Sequence, residues 1–374
     1  MKQIENDPYV GKCYLGKISS GIINIGDTIK SLDVDGTVII TGKCTKLIVR
    51  QGLTQESVLQ AHAGDIVSIA GIDGAHVNHT ICDLAITKPL PYIAIDEPTI
   101  AMMIYVNDSP LGGKEGSQLT SQVLRDRLFK ELETNVSLQV IETSDAFQVK
   151  GRGELQMGVL IETMRREGFE ISVSSPQVLY KFEIGENGKK RVLEPIEEVT
   201  VDVDHEYAGI VIEKMTKRKG EMKHYGDSGD RARIVFEVPT RGILGYPSEF
   251  KNDTHGQGLL NHILLGYEPH KGPIEKQRKG SLISTASGDT TAYALQSIES
   301  RGTLFVKPGT AVYPGMIIGE HTREGDLEVN PVKAKALTNF RVAGKEETVK
   351  LTPVEFFSLE RLLAYIQGIY NINV

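Results

Sequence analysis

Glu97-Pro98-Thr99-Ile100-Ala101-Met102-Met103-Ile104-Tyr105-Val106 opens the segment on which the fold turns. A new pattern begins at the Glu-Pro pair, and residues 99–106 read as a strand. Leu124, Leu128 and Leu132 then recur every four residues, which predicts a helix. Strands are expected near 137–142 and 146–150. Met157, Leu160, Ile161 and Met164 fall at i, i+3, i+4 and i+7 and predict a second helix, followed by a strand at 169–173. Strand, helix, strand, strand, helix, strand is the order of a ferredoxin-like plan.

A second Glu-Pro pair, Glu194-Pro195, starts what reads as a repeat of that plan. A strand at 198–204 precedes a helix with Ala208, Val211, Ile212 and Met215 on one face. A strand at 231–238, a weakly helical stretch at 241–252 and a strand at 258–265 complete it. Between the two plans, 174–193 reads as a linker turning at Gly185-Glu186-Asn187-Gly188-Lys189-Lys190-Arg191.

Upstream, residues 9–88 are dense in Val, Ile and Thr, have no long 3.6-residue period and are punctuated by Gly16, Gly21, Gly26, Gly36 and further glycines. Short strands joined by tight turns account for this, and they suggest a small closed barrel ending at Pro89-Leu90-Pro91. Downstream, strands are expected near 280–285, 290–295 and 302–306. A closing helix is expected from Ser358, an acceptable N-cap, through Leu359, Leu362, Leu363 and Ile366. Residues 325–345 are polar and positively biased, and read as a long exposed loop. The fold class is thus multidomain β and α+β: a β-barrel at 1–92, ferredoxin-like βαββαβ domains at 93–176 and, after the linker, within 177–275, and a β-rich C-terminal domain at 276–374.

That division suits a chain of 374 residues, about two and a half times the commonest domain size. With 40% hydrophobic and 24% charged residues, each domain can bury a core. No apolar run is long enough for a membrane helix, and Met1-Lys2-Gln3-Ile4-Glu5-Asn6-Asp7 lacks the apolar core of a signal peptide, so a cytoplasmic protein is expected. Cys13, Cys44 and Cys82 are odd in number and far apart, which indicates no disulfide framework. The net charge of −7 argues against a protein that coats nucleic acid with its whole surface. Yet residues 207–350 hold 21 Lys and Arg against 17 Asp and Glu, so the positive charge is gathered in the second half.

The closest approach to a nucleotide phosphate loop, Gly112-Gly113-Lys114-Glu115-Gly116-Ser117, has Glu after the Lys and no upstream Gly at the required spacing. It reads as a glycine loop leading into the next helix. Gly151-Arg152-Gly153-Glu154 has two readings: a tight strand-to-helix turn, or that turn with an added RNA or protein contact through Arg152. His76-x-x-His79-x-x-Cys82 has metal-like spacing, but no fourth ligand is visible, and the residues read as loop histidines beside a strand cysteine. No metal site and no catalytic constellation is indicated.

Basic clusters are the stronger signal. Lys214, Lys217, Arg218, Lys219 and Lys223 end a predicted helix, Lys271, Lys276, Arg278 and Lys279 surround a connector, and Lys333, Lys335, Arg341 and Lys345 stud the 325–345 loop. Any one cluster alone reads as a solvated face. Three of them in one half of an acidic chain point to phosphate contacts, provided they face outward on one surface and are not neutralised by neighbouring acids. Phe340 and Tyr246 are candidates to stack on an unpaired base.

The strings Asn107-Asp108-Ser109-Pro110-Leu111-Gly112-Gly113-Lys114-Glu115-Gly116, Gly151-Arg152-Gly153-Glu154-Leu155, Met164-Arg165-Arg166-Glu167-Gly168-Phe169-Glu170, Pro239-Thr240-Arg241-Gly242-Ile243-Leu244-Gly245-Tyr246 and Lys335-Ala336-Leu337-Thr338-Asn339-Phe340-Arg341 resemble the TypA/BipA translational GTPases, relatives of elongation factor G. The resemblance runs from about Ile4 to Ile366. It implies a translation-factor β-barrel, ferredoxin-like domains matching the third and fifth domains of elongation factor G, and a family-specific C-terminal domain. It also implies binding to the ribosome and a role in ribosome assembly and stress adaptation. The family's C-terminal loop reaches toward the peptidyl-transferase centre and a tRNA acceptor arm, so Lys333, Lys335 and Arg341 become candidate RNA contacts, and Arg241 joins them.

The family's GTPase domain has no counterpart in these residues, and with it go GTP and magnesium, so no cofactor and no hydrolysis are expected of this chain. The usual basic tail is replaced by Gly368-Ile369-Tyr370-Asn371-Ile372-Asn373-Val374. The expected function is a ribosome-binding module contacting rRNA, tRNA and ribosomal proteins, acting as a monomer. Two alternatives stand beside it: the downstream part of a working ribosome-dependent GTPase, and an interaction scaffold without a GTPase domain.

Overall fold

The computed structural model describes residues 3–7, 10–52, 54–92, 96–184, 188, 190–274, 280–334, 351–352, 365 and 372–373, and it is mostly β-strand with a few helices. Its residues fall into two units, Met1–Val106 with Gln118–Gln156, and Asn107–Ser117 with Met157–Val374.

The first unit begins with short strands: β1 (Gln3–Asp7), β2 (Gly11–Lys17), β3 (Ile22–Asn24), β4 (Thr28–Leu32), β5 (Val38–Lys43), β6 (Lys46–Gln51), β7 (Thr54–Ser57), β8 (Gln60–His62), β9 (Ile66–Ala70) and β10 (Thr80–Asp83). They pair antiparallel in the orders β1-β2-β9-β6-β7, β10-β4-β5 and β3-β8. Alternation turns Tyr14, Leu47, Val67 and Ile69 into a common core with Ile72. Next come β11 (Ile100–Val106), α1 (Ser121–Thr134), β12 (Gln139–Glu142) and β13 (Phe147–Gly151), with strands in the order β12-β13-β11. Thr120 caps α1 by accepting the Val123 N–H, and of the predicted stripe Leu124 and Leu128 are buried while Leu132 is half-buried. In α2 (Glu154–Arg166), Met157, Leu160, Ile161 and Met164 are all buried as their spacing predicts. Glu154 in the first turn and Arg165 and Arg166 in the last complement the helix dipole.

The second unit continues with β14 (Ile171–Val173), β15 (Gln177–Val178), β16 (Lys181–Ile184), β17 (Lys190–Asp204), α3 (His205–Lys217), β18 (Glu221–Ser228), β19 (Arg231–Pro239), α4 (Thr240–Ile243), α5 (Tyr246–Asp253) and β20 (Leu259–Pro269). The 15-residue β17 is the spine: β16 pairs with its start, while β19 and β20 flank the rest, all antiparallel. Val199, Val201 and Val203 point to one face and meet Ile234, Phe236 and Val238 of β19, Val211 and Met215 of α3, and Phe250 of α5. Two expectations are corrected here. The 174–193 linker contains β16, hydrogen-bonded to β17. β18, which sequence reading missed, is a polar strand (Glu221-Met222-Lys223-His224-Tyr225-Gly226-Asp227-Ser228) with no apolar alternation to mark it.

The remainder holds β21 (Ser281–Ser284), β22 (Gly288–Asp289), α6 (Ala292–Glu299), β23 (Gly302–Leu304), β24 (Ala311–Val312), β25 (Ile317–His321) and β26 (Leu327–Val329), with β27 (Ile372–Asn373) paired to β14. The sheet order is β23-β25-β21-β26, with β26 parallel to β21. The strand expected at 290–295 is instead the start of α6. Thr291 Oγ1 accepts the Ala294 N–H at 3.2 Å, and Ala294, Leu295 and Ile298 are buried at helical spacing. The expected loop at 325–345 begins as β26, and residues 335–345 lie outside the described residues. So does the closing helix from Ser358, apart from Tyr365, which is helical and donates its hydroxyl to Ser281 Oγ at 2.9 Å.

Phe236 has no solvent exposure at the centre of the β17–β19–α3 core. Truncation to alanine (Phe236→Ala) is expected to cost about 3–5 kcal/mol, read as a lowered urea midpoint. An unchanged midpoint would contradict this core.

Candidate nucleic-acid interface

The basic residues ending α3 are positioned by the way that helix stops. Lys219 adopts φ +65°, and the Lys219 and Gly220 N–H groups donate to Thr216 O at 3.0 Å and Met215 O at 2.8 Å. This is the paired closure in which glycine usually takes the left-handed position. A lysine stands there instead and is exposed.

Its neighbours are engaged. Arg218 Nη1 donates to Gly242 O at 2.8 Å and Nη2 to Glu249 at 2.7 Å, and its guanidinium lies 5.0 Å over the Tyr246 ring. It clamps the end of α3 to α4 and α5, and Tyr246 is buried beneath it and not available to stack on a base. Lys214 Nζ sits 2.7 Å from Asp253 and 3.6 Å from Glu249. Lys217 pairs with Glu213 at 2.6 Å, both well exposed, a geometry worth little to stability. Lys223 pairs with Glu237 at 2.7 Å, and Lys271 with Glu221 at 3.0 Å.

Of the candidate cations for which an ion pair is described, Arg241 has the least exposed side chain. Its Nε donates to Glu194 Oε2 at 2.5 Å and its Nη2 to Glu194 Oε1 at 3.2 Å and Gly272 O at 2.5 Å; the Lys271 N–H adds a 2.6 Å bond to Glu194 Oε1. The Glu194 side chain has 0% exposure and that of Arg241 13%. Burial pushes the Glu194 pKa upward, but the Arg241 hydrogen bonds and the Lys271 N–H outweigh it, and the carboxyl ends below its ordinary value. Three residues further along β17, Glu197 accepts from the Thr240 hydroxyl at 2.7 Å and meets His262 Nδ1 at 2.5 Å. Arg241 is therefore a structural cation rather than a displayed one. Arg152 is half-committed: its Nε donates to Asp96 O at 3.2 Å, and its backbone anchors the turn to Thr99 and Gln156.

Lys333 is exposed and, like Lys219, has no ionic partner among the described residues. Its carbonyl accepts the Thr291 hydroxyl at 2.7 Å, so the segment is rooted on the cap of α6. Lys335, Arg341 and Lys345, with Lys276, Arg278 and Lys279, lie outside the described residues. The expectation of basic side chains free of neighbouring acids is thus corrected for Lys214, Lys217, Arg218, Lys223, Arg241 and Lys271. Their partners Glu194, Glu213, Glu221, Glu237, Glu249 and Asp253 were missed because all but Glu213, one helical turn from Lys217, are brought in by pairing or packing, not by helical spacing.

Among the described residues no group of His, Cys, Asp and Glu is arranged to hold a metal. His79 is buried against Ser31 Oγ at 3.1 Å and caps the His76 N–H, a structural use of the spacing noted in the sequence. In the Gly112–Ser117 loop the Gly113, Glu115 and Gly116 N–H groups all donate to the chain's own Glu170. No helix among the described residues is long and apolar enough to cross a membrane.

Comparison with known proteins adds to this geometry. Residues 279–374 match the TypA/BipA C-terminal domain and residues 191–278 the elongation factor G C-terminus. Over 97% of its length the chain is 42% identical to the Bacillus subtilis protein named large ribosomal subunit assembly factor BipA, covering 59% of that protein. It is 42% identical to the Synechocystis protein of the same name, covering 60% of it, and 41% identical to that of Salmonella typhimurium, again covering 60%.

The Glu194–Arg241 pair has a measurable signature. A carboxylate held below its ordinary pKa contributes stability above its unfolded value, about 4.3, and loses it as pH falls through the folded value. Thermal melts from neutral pH downward are expected to show wild type losing this contribution below about pH 4. Glu194→Gln is expected to be destabilised by about 3–5 kcal/mol at neutral pH, because Arg241 is left buried and unpaired, and to lack that part of the acid decline. Parallel pH curves for the two proteins would refute the assignment.

Proposed function

We propose that this chain, which matches the C-terminal portion of the TypA/BipA family, is the ribosome-binding part of a large-subunit assembly factor. The observation that carries this reading is 42% identity over 97% of the chain to a protein named for that role. In this reading the successive β11–α1–β12–β13–α2–β14 and β17–α3–β18–β19–α5–β20 orders are the family's ferredoxin-like domains. The strands from β1 to β10 form its translation-factor barrel. The chain acts in the cytoplasm as a monomer and contacts rRNA and a tRNA acceptor arm, with ribosomal proteins around them.

Lys219 and Lys333 support the RNA contact, being exposed cations that no neighbouring acid neutralises among the described residues. Lys335, Arg341 and Lys345 extend the second of these sites along the sequence. Arg218, Lys214 and Arg241 serve it indirectly, by fixing the elements on which Lys219 is carried. No catalytic step is assigned to these residues. In this reading GTP hydrolysis, which the resemblance implies for the longer factor, is not a task of these residues; the chain spans about 60% of the length of the curated relatives it matches.

Co-sedimentation with large ribosomal subunits across a salt series tests the proposal. Affinity is expected to fall steeply with salt, and the double variant Lys219→Ala, Lys333→Ala is expected to flatten the log–log slope by about 1.5, from the loss of two phosphate contacts. Absence of binding at low salt would end the ribosomal reading. Salt-dependent binding with an unchanged slope would remove these two lysines from the interface.

A further inference from the structure

The Asn107–Ser117 segment carries a feature that the RNA-binding reading does not use. Glu170, between α2 and β14, directs its carboxylate into this loop. Oε1 accepts the Glu115 N–H at 2.7 Å and the Gly116 N–H at 2.6 Å, while Oε2 accepts the Gly113 N–H at 2.6 Å and the Asn107 amide at 3.2 Å. Four donors from one loop converge on one anion. The Gly113, Gly116 and Glu115 N–H groups and the Asn107 amide hold this carboxyl at about 2, against desolvation that opposes them. Successive backbone N–H groups turned to one side form a concavity selective for anions.

Other hydrogen bonds of this loop do not involve Glu170. The Ser109 N–H donates to Asn107 Oδ1 at 3.0 Å, the Gly112 N–H to Ser109 O at 2.9 Å, and the Ser117 N–H to Gly168 O at 3.0 Å. Gly116 lies so close to the Gly168 carbonyl that a Cβ would come within 2.5 Å of it, which fixes the approach of the two segments. Gly113 and Glu115 are exposed, so the site opens to solvent. Lys114, on the same loop, is exposed with no ionic partner among the described residues.

We propose that the Asn107–Gly116 loop is an oxyanion-binding site, filled in cis by Glu170, that accepts a phosphate group when the carboxylate is withdrawn. The tethered carboxylate has a high effective concentration and keeps other anions out of the wild-type protein. The ligand is a single phosphate, free or within an RNA backbone, bound without magnesium. The inference goes beyond the ribosomal reading and does not depend on it.

Two variants of the full chain separate vacancy from loss of charge. Glu170→Ala empties the concavity, whereas Glu170→Gln fills it with a neutral group. Inorganic phosphate titrated into Glu170→Ala is expected to shift the Gly113, Glu115 and Gly116 amide resonances saturably and to raise the melting temperature by about 2 °C at saturation. Wild type and Glu170→Gln are expected not to respond. A short oligoribonucleotide lacking terminal phosphates is the second arm: response to it assigns the site to backbone phosphodiesters, and response to inorganic phosphate alone assigns it to free phosphate. Unmoved amides in folded Glu170→Ala with both probes would overturn the proposal, as would an equal response in Glu170→Gln. If Glu170→Ala does not fold unaided, refolding yield in phosphate against chloride at matched ionic strength decides it: recovery upholds the site, and none rejects it.

Discussion

A carboxylate with no access to water must be neutralised where it lies, and Glu194 meets that requirement through Arg241 and the Lys271 N–H. Three pieces of chain are tied by this one group: the first half of β17, the start of α4, and the segment leaving β20. Because β17 also pairs with β16, β19 and β20, the position of the whole second-unit sheet refers back to it. The apolar core of Val199, Val201, Phe236 and Met215 supplies the bulk of the driving force, which is non-directional. The buried ion pair adds the direction: its hydrogen bonds hold the start of α4 against β17, and α4 with α5 in turn carries the groups that hold Arg218.

That hierarchy changes what positive charge means in this molecule. An excess of Lys and Arg over Asp and Glu between 207 and 350 suggests a surface offered to phosphates. In three dimensions much of that charge is spent inward. Arg218 and Arg241 hold backbone carbonyls and carboxylates, and Lys214, Lys223 and Lys271 sit between acids. Among the cations left to solvent, two stand at special points of the backbone: Lys219 at the left-handed stop of α3, and Lys333 at the root of the C-terminal segment. A count of charges measures what is available, whereas placement determines what is displayed.

The same distinction explains how much was legible in the sequence. Helices α1, α2 and α3 were readable because Leu124 and Leu128, Met157 to Met164, and Val211 and Met215 repeat with the helical period, and the core selects that period. α6 was misread as a strand, since Thr290, Thr291 and Tyr293 favour strands locally while the Thr291 cap and the burial of Leu295 and Ile298 override them. β18 was not legible, its residues being polar and its structure set by pairing with β19. The partners of the basic residues were largely beyond reach: Arg241 finds Glu194 47 positions away, and Gly113 finds Glu170 57 positions away. Periodicity reports which face is apolar, but carries no record of which distant acid will lie against which base.

Thr291 adds a hydrogen-bonded link between α6 and the chain entering the 330s, which also share an apolar core through Leu295, Ile298, Val329 and Val332. Its hydroxyl accepts from Ala294 and donates to Lys333 O, and its own N–H donates to Pro331 O at 3.0 Å. The residue that starts α6 is therefore also the tether of the chain entering the 330s. A displacement of the chain at residue 333 is thereby coupled to the cap of α6 through the Thr291 hydroxyl.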